Sequence, residues 1–332
     1  MTDQTDRTSR PDLGVLRRLG ACADRQGFFT VLAIDHPPAF ILPPSEAARN
    51  DQAEAVAVKA ELAEAMAPHA SALLVDPDSG LPACLATGLL PGDVGLMLCI
   101  EGDEYQREPD AHRISDVRGG WSVAKLARTG GDACKLLWRY RHEVPEAEAH
   151  RAFVRQLALD CAVASMPFVV EPIWAALPGE DLADPQVAAA RARGIVDYAK
   201  VAQDLGADLV KTEFPGGVDS EAAREQSAAA CSELDESLEV PWLVLSAGVT
   251  YDAFRVQTEI AARAGASGFI GGRAIWDTVV TPDRAARRDG VRTAVQRLAE
   301  LTAIVHEHGR PWRATQSVAE VTAAYPSAWY AD

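Results

Sequence analysis

The chain has 332 residues, a length that accommodates one large domain or two small ones and that single α/β barrels with extensions commonly reach. Its net charge of −16 at pH 7 argues against nucleic acid and anionic membranes as partners, because both require clustered positive charge. A small anionic substrate is not excluded, since a few local cations suffice to bind a phosphate.

The N-terminal segment and the cysteines indicate a cytoplasmic protein. Segment 1–12 is polar and lacks the apolar core of a signal peptide, and no run approaches the roughly 18 apolar residues of a membrane span. The six cysteines are widely scattered without C-x-x-C spacing, which is typical of reduced thiols. We expect residues 1–12 to be disordered and residues 307–332 to form a C-terminal extension.

The predicted elements alternate between strands and helices along the whole chain. A helix at 13–25 precedes strands at 28–36, 72–76, 95–100 and 132–140, which are separated by helices at 51–67, 82–88 and 121–128. Further strands at 167–173, 209–214, 241–246 and around 269–270 alternate with helices at 146–164, 184–205, 220–238 and 252–264. A last helix spans about 287–306.

This alternation predicts parallel strands joined by helical crossovers. Eight such units in a chain of this length are what a (β/α)8 TIM barrel requires. The rival architecture is a doubly wound open sheet, and the missing G-x-G-x-x-G after the first strand weakens its dinucleotide-binding version. No Pro/Gly/Ser-rich linker divides the chain, so we expect one barrel domain over residues 1–332.

A lysine lies inside one of the apolar strands. Lys211 follows Leu209 and Val210 in a run bounded by a Gly-Ala turn and by Pro-Gly-Gly. Lysine almost never enters a buried strand unless it is paired, and burial lowers the pKa of an ammonium group. A lysine that is neutral near pH 7 is a nucleophile that forms a Schiff base with a carbonyl. The alternative interpretation is an ion pair with Glu213 or an edge contact.

Polar residues stand at the ends of several other predicted strands. In a (β/α)8 barrel the C-terminal ends of the strands surround the active site. Six such residues, each from a different strand, would converge on one mouth: Asp35, Lys135, Glu171, Lys211, Ser246 and Arg273. This convergence indicates a functional site more strongly than any one of the residues does.

Lys135, Glu171 and Asp35 each have a catalytic and a structural interpretation. A second ammonium group at Lys135 would lower the pKa of Lys211 by like-charge repulsion. Glu171 would be costly to bury alone, so it should pair with a lysine and either transfer protons or serve as a counter-ion for Lys135. Asp35 would polarise a substrate hydroxyl or cap the helix that follows it.

Glycines after the last two strands predict a phosphate site. Loops after strands seven and eight frequently bind phosphate in this fold, because glycine lets backbone N–H groups approach an anion. Gly248 follows the seventh strand, and Gly271 and Gly272 follow the eighth. Arg273 adds a forked cation and Ser246 a hydroxyl donor.

Several motifs together resemble the class I tagatose 1,6-bisphosphate aldolase family, to which the sulfofructose-phosphate aldolases are related. The motifs lie at Asp132–Tyr140, Val210–Pro215, Leu245–Val249 and Gly272–Trp276, and the resemblance extends from about Phe28 to Trp276. It implies a (β/α)8 barrel that needs no metal or other cofactor, Schiff-base chemistry on Lys211, a sugar phosphate substrate and a homo-oligomer.

The resemblance also assigns expected roles to the polar residues. Glu171 resembles the proton-transfer carboxylate, and Lys135 and Asp35 resemble the partners of the substrate hydroxyls. Ser246 and Arg273 resemble the phosphate-binding pair. The expected reaction is reversible cleavage of a ketose phosphate into dihydroxyacetone phosphate and an aldehyde, with the protonated imine accepting the electron pair.

One departure concerns the substrate's far end. Where the family has Asp-Gln-Arg after the first strand, this chain has Asp35-His36-Pro37-Pro38. His36 would either replace part of a contact with the distal end of the sugar or be packed and inert. Whether the far group is phosphate, sulfonate or absent therefore stays open at the level of sequence.

Four functions are consistent with parts of this pattern. The leading hypothesis is a class I aldolase acting on a ketose 1-phosphate or 1,6-bisphosphate, and the nearest alternative is the sulfosugar version. A sugar-phosphate sensor without catalysis is a third, which the filled polar positions disfavour. A metal-dependent aldolase is disfavoured because the sequence lacks clustered histidine ligands.

Overall fold

The computed structural model describes residues 12–42, 51–88, 94–102 and 110–313, together with positions 319 and 323. Most of the predicted disordered start (1–12) and of the predicted extension (307–332) lies outside these residues. Asp12 is the last residue of the predicted disordered start. It caps the first helix, because its Oδ1 accepts a hydrogen bond from the Gly14 backbone N–H at 2.7 Å. No described helix is long and apolar enough to cross a bilayer.

Eight parallel strands close into a barrel in the order β1 to β8, with β8 paired to β1. The strands are β1 (Phe29–Ala33), β2 (Ala72–Val75), β3 (Gly95–Cys99), β4 (Ala133–Tyr140), β5 (Phe168–Trp174), β6 (Leu209–Thr212), β7 (Trp242–Leu245) and β8 (Gly268–Gly271). The predicted (β/α)8 TIM barrel is therefore confirmed, and the doubly wound sheet is excluded because the sheet has no edge.

Helices surround the barrel in the described part of the chain. They are α1 (Leu13–Cys22), α2 (Pro38–Ile41), α3 (Gln52–Met66), α4 (Gly80–Ala86), α5 (Val123–Arg128), α6 (Ala147–Val163), α7 (Pro185–Asp204), α8 (Glu221–Ser237), α9 (Tyr251–Ala264), α10 (Arg273–Trp276) and α11 (Arg284–His308). The two short helices α2 and α10 were not predicted; α2 begins five positions after the end of β1, and α10 begins two positions after the end of β8. Both contribute side chains to the mouth of the barrel.

Local sequence signals explain where the long helices begin and end. Helix α9 begins after Thr250, whose hydroxyl accepts a hydrogen bond from the Ala253 backbone N–H. It ends at Gly265, which has a φ of +117° that an L-residue with a side chain rarely adopts. Helix α8 is capped in the same way by Ser220.

The barrel interior contains an apolar layer of side chains, called the plug below, and a charged layer nearer the C-terminal ends of the strands. One face of each strand points into the barrel, so residues two apart share the interior. The apolar interior cluster includes Ala33, Cys99, Ala133, Val169 and Leu209. Two positions further toward the C-terminal ends come charged residues, in the same order Asp35, Glu101, Lys135, Glu171 and Lys211. The fold thereby stacks these five charges in a layer above the plug.

Candidate active site

Lys211 lies on β6 with its side chain buried and its ammonium group paired. Its Nζ is 3.0 Å from Oε2 of Glu171, and only 4% of the residue is exposed. The alternative pairing with Glu213 is wrong, because Glu213 contacts Arg191 at 2.5 Å and accepts a hydrogen bond from the Trp174 backbone N–H at 2.9 Å. Lys211 therefore faces the carboxylate of the neighbouring strand.

Lys135 lies on β4 and is surrounded by three carboxylates. Its Nζ is 2.6 Å from Glu101, 2.7 Å from Glu171 and 3.3 Å from Asp35, and the residue is completely buried. A buried ammonium group is tolerated only when it is paired in this way. The interpretation of Asp35 as a helix cap is not supported, because the following helix α2 has no side-chain cap and begins after Pro37.

Glu171 joins the two lysines. A single oxygen, Oε2, contacts both Lys135 and Lys211, which confirms the prediction that this buried glutamate pairs with a lysine. Burial alone would raise the pKa of the Glu171 carboxyl, but the charges of Lys135 and Lys211 outweigh it and lower this pKa below its usual value. The group is thus an ionised carboxylate at neutral pH, positioned to exchange a proton with either ammonium group.

The pKa values of Asp35 and His36 are both lowered by their surroundings. Burial opposes ionisation of Asp35, yet Lys135 and then Lys211 hold the pKa of its carboxyl well below the ordinary range. Burial lowers the pKa of His36 to about 4, with Lys211 and Arg273 acting in the same direction and Asp35 opposing them. His36 is therefore neutral at pH 7.

Glu101 is a site residue that the sequence analysis did not include. It lies just beyond β3, accepts the 2.6 Å contact from Lys135 through Oε1, and accepts a hydrogen bond from the Leu137 backbone N–H through Oε2 at 3.1 Å. The alternation of side chains along a strand could have indicated Glu101, because this residue stands two positions beyond the interior residue Cys99. With Glu101 included, three carboxylates and two ammonium groups leave this cluster one negative charge.

The cluster does not resemble a metal site, even though Asp35, Cys99 and Glu101 are close enough together to hold an ion. The ammonium group of Lys135 already contacts both carboxylates. Burial raises the pKa of the Cys99 thiol well above its ordinary value, which disfavours the thiolate that metals bind. A lysine ammonium thus occupies the position that a cation would take.

A second buried ion pair lies beside the cluster. Lys59 on α3 contacts Asp76, which follows β2, and Asp76 also accepts hydrogen bonds from the Ser79 N–H at 2.7 Å and the Gly80 N–H at 3.0 Å. These contacts attach α3 and the start of α4 to the end of β2. Neither Lys59 nor Asp76 lines the cavity, so their contribution to the site is structural.

The ends of β7 and β8 form the other side of the site. The Gly272 N–H points to the Ser246 hydroxyl at 3.4 Å. Gly248 has a φ of +74°, and a Cβ atom there would lie 2.7 Å from a guanidinium nitrogen of Arg273. The Arg273 guanidinium stacks on Phe40 at 5.1 Å, and no described carboxylate forms a salt bridge with it. Ala247 also has a positive φ, of 44°, which is a strained conformation of the kind that concentrates at functional sites.

His36 and Gly271 both lie near the end of β8, but only His36 lines the cavity. The His36 ring packs edge-on against Trp276 with 5.3 Å between centroids, and a Cβ atom on Gly272 would lie 2.8 Å from its Cε1. His36 lines the cavity next to the residues that follow β8. Gly271 does not line the cavity; a Cβ atom there would collide with Ile275 of α10, so its role is in packing.

A cavity of about 460 Å³ opens at this end of the barrel, a size that suits a small-molecule ligand. Its wall includes Lys211, Glu171, His36, Ser246, Gly248, Gly272 and Arg273, together with Arg139 and Glu213, which the sequence analysis did not select. Lys135 and Asp35 do not line it. They lie beneath its floor and connect to it through Glu171.

Comparison with known sequences points to one family. The sequence pattern described as DeoC/LacD family aldolase matches residues 32–278. Tagatose 1,6-diphosphate aldolase 2 of Streptococcus mutans is 27% identical over 322 residues, which cover 90% of this chain and 97% of that protein. Tagatose 1,6-diphosphate aldolase of Lactococcus lactis is 26% identical over 318 residues, 89% of this chain and 96% of the relative.

Solved structures of aldolases have the same fold. A Schiff-base-forming fructose-1,6-bisphosphate aldolase aligns with a TM-score of 0.59 at 20% identity, covering 86% of this chain and 99% of that one. Fructose-bisphosphate aldolase from Plasmodium falciparum aligns with a TM-score of 0.62 at 10% identity, covering 90% and 96%. At these identities the similarity establishes the shared barrel.

Proposed function

This chain belongs to the DeoC/LacD family of aldolases and is thus a lyase, and from that premise we propose that it cleaves ketose phosphates through a Schiff base on Lys211. The substrate is a ketose 1-phosphate or 1,6-bisphosphate of the tagatose or fructose type. The products are dihydroxyacetone phosphate and an aldehyde, and the reaction is reversible. The proposed substrate follows from the tagatose 1,6-diphosphate aldolases that the chain resembles over most of its length.

The observation that carries the proposal is the contact between Lys211 and Glu171 at the cavity wall. The ammonium group of Lys211 must lose a proton before its nitrogen can attack the substrate's C2 carbonyl. Glu171 is 3.0 Å away and ionised, so it can accept that proton. The same group, now protonated, donates to the hydroxyl of the carbinolamine, which leaves as water and gives the iminium ion.

Cleavage then follows from the charge on the iminium nitrogen. A base removes the proton from the C4 hydroxyl, the C3–C4 bond breaks, and its electron pair moves into the iminium to form an enamine. Protonation at C3 and hydrolysis release dihydroxyacetone phosphate and restore Lys211. Glu171 is the carboxylate nearest to Lys211, and the Lys135 ammonium beneath it, at 2.7 Å, can replenish its proton.

The proposed phosphate site lies at the ends of β7 and β8. Arg273 supplies a guanidinium that no described carboxylate neutralises, Ser246 supplies a hydroxyl, and Gly248 and Gly272 keep the space beside them open. These groups suit the C1 phosphate of a substrate whose C2 carbon is bonded to Lys211 on the adjacent strand β6. The phosphate would fix the carbonyl carbon against the nucleophile.

We further propose that the enzyme works in the cytoplasm as a homo-oligomer, without a metal or other cofactor and without nucleic acid or membrane partners. The six cysteines are buried free thiols, which supports a reducing compartment. The position of Lys135 between the carboxylates supports metal independence, since it provides the cation that such a cluster needs. Activity that persists after dialysis against a chelator is the expected result.

A retro-aldol assay tests the function directly. Purified enzyme is incubated with tagatose and fructose 1,6-bisphosphates, the corresponding 1-phosphates and sulfofructose 1-phosphate, and dihydroxyacetone phosphate is measured with a coupled reduction. We expect release from at least one ketose phosphate and its loss in Lys211→Ala. Lys200→Ala, which removes an exposed lysine of α7, is the matched control. If sulfofructose 1-phosphate is the preferred substrate, the sulfosugar version of the aldolase is the correct one; if none is cleaved, the proposal fails.

A further inference from the structure

A second cavity lies at the opposite end of the barrel from the active site. It has a volume of about 840 Å³, against about 460 Å³ for the active-site cavity, and the described residues that line the two do not overlap. Val94 directly precedes β3 and Asp132 directly precedes β4, so this cavity borders the N-terminal ends of these strands. The active sites of (β/α)8 enzymes lie at the C-terminal ends. A ligand in the second cavity therefore does not reach Lys211.

The wall of the second cavity carries positive charge, in a chain whose net charge is −16. One acidic residue, Asp132, lines it together with three arginines: Arg17, Arg18 and Arg313. No described carboxylate lies within salt-bridge distance of Arg17 or Arg18. Arg18 donates one hydrogen bond, from Nη1 to the Gly131 carbonyl at 3.1 Å. A guanidinium has five N–H donors, so most of the donors of Arg17 and Arg18 are available to an anion.

Another part of this wall is apolar and includes an indole ring. Trp312 is half-buried, with its ring centroid 6.0 Å from that of Phe29 and its backbone N–H bonded to the Gly27 carbonyl at 3.0 Å. The indole is thus held in place while part of its surface faces the cavity. Leu13 and Leu16 of α1 add apolar surface beside the two arginines. The wall therefore suits a ligand that joins an anionic group to a flat, weakly polar ring.

A glycine in the middle of α1 keeps the cavity open. Gly20 lies within the helix, where glycine is less stable than alanine because it loses more backbone freedom on folding. A Cβ atom on Gly20 would meet no atom within 4 Å, so packing does not require a glycine at this position. Gly20 lines the cavity, and a large side chain there would occupy part of the space.

We propose that this cavity binds a nucleoside phosphate, with the phosphate on Arg17 and Arg18 and the base against Trp312. A guanidinium binds phosphate through two parallel N–H donors, and any base can stack on an aromatic side chain. The volume of about 840 Å³ accommodates both parts of the ligand, because ligand cavities commonly measure roughly 300 to 1,000 Å³. The site is separate from the active site, so its occupancy does not depend on whether the enzyme cleaves ketose phosphates.

Calorimetric titration of the full-length enzyme with ADP, GDP and UDP tests the assignment, with pyrophosphate and adenosine as the two halves of the first ligand. We expect at least one nucleotide to bind, and to bind more tightly than pyrophosphate or the nucleoside alone. The loss of a charged hydrogen bond predicts roughly a 10- to 150-fold rise in the Kd of Arg18→Gln for that nucleotide. Trp312→Leu should raise the Kd at least about fivefold through lost stacking. Gly20→Phe, which fills the cavity but removes no charge, should raise it at least about tenfold.

Controls separate this site from the active site and from misfolding. Arg155→Gln, which removes an exposed arginine of α6, and Arg273→Gln, which changes the active-site cavity, should both bind the nucleotide like wild type. Gly20→Phe retains the contact between Arg18 and Gly131, so it stays interpretable where Arg18→Gln fails to fold.

Four results would overturn the assignment. The first is that none of the three nucleotides binds at concentrations up to about 1 mM. The second is unchanged binding in Gly20→Phe, and the third is binding that is lost in Arg273→Gln, which would place the nucleotide in the active site. The fourth is pyrophosphate binding as tightly as the nucleotides, which would show a site for a simple anion. Nucleotide binding that depends on Arg18 and Gly20 but accompanies no ketose phosphate cleavage would uphold the assignment and refute the aldolase proposal.

Discussion

Replacing Glu171 by glutamine removes the carboxylate that contacts both Lys135 and Lys211. Glutamine keeps the shape of the side chain but can neither accept a proton from Lys211 nor return one to the carbinolamine. The two ion contacts at 2.7 and 3.0 Å are lost, and the cluster changes from one negative charge to none. The variant therefore separates proton transfer from the size and position of the side chain.

The expected loss of activity follows from the role of a general acid–base group. Such a group contributes about 10²- to 10⁴-fold to the rate, which corresponds to roughly 3 to 5 kcal/mol in the barrier. We predict that kcat falls by this factor in Glu171→Gln. The KM should stay within about threefold, because the phosphate-binding residues at the ends of β7 and β8 are unchanged.

The assay is steady-state cleavage of the preferred ketose phosphate, with unfolding in urea as a parallel measurement. Removing one partner of a buried ion pair costs about 3 to 5 kcal/mol of stability, so activity must be measured where the variant remains folded. Glu236→Gln, an exposed glutamate of α8, is the matched control and should change neither quantity. A folded Glu171→Gln enzyme whose kcat is within tenfold of wild type would refute the assignment of Glu171 as the proton carrier.

Three further predictions concern the surroundings of this pair. Glu101→Gln leaves Lys135 with two carboxylates, and its free energy of unfolding should fall by about 2 to 4 kcal/mol in urea titrations; a change below about 0.5 kcal/mol would show that Lys135 does not depend on Glu101. The pKa of His36 is 6.5 in the unfolded chain and about 4 in the folded protein, so between these values the unfolded chain binds a proton that the folded protein does not. The free energy of unfolding should therefore fall by about 3 kcal/mol as the pH is lowered from 7 to 4. In His36→Gln this decline should be smaller by a similar amount. Gly248→Ala places a methyl group against Arg273 at a φ of +74° and should raise KM at least tenfold with a smaller change in kcat, whereas an unchanged KM would separate this loop from phosphate binding.

Much of the fold followed from local patterns in the sequence. The alternation of eight strands with helices is repeated often enough that errors of a few residues at element ends do not change the architecture. The interior positions of Lys135, Glu171 and Lys211 were also accessible, because each is a charge in an apolar strand and strands alternate with a period of two. Such charges are costly to bury, so they stand out against their neighbours.

The partners of these charges depend on which strands lie side by side. Glu213 is two residues from Lys211, yet it pairs with Arg191 of α7, because residues two apart on a strand stand at different levels of the barrel. Glu101 meets Lys135 across β3 and β4, a contact between residues 34 positions apart. His36 turns toward Gly272 because β1 closes the barrel against β8. Closure of the sheet is a long-range property, and no local pattern shows which side chains it brings together.

The central claim is that Lys211 forms the covalent intermediate. The most direct measurement is reduction with borohydride in the presence of dihydroxyacetone phosphate, followed by peptide mass spectrometry of wild type, Lys211→Ala and Lys200→Ala. We expect one adduct, on the peptide that contains Lys211, in wild type and Lys200→Ala, and none in Lys211→Ala. An enzyme that cleaves ketose phosphates but forms no adduct on Lys211, or that keeps full activity in Lys211→Ala, would contradict the Schiff-base mechanism.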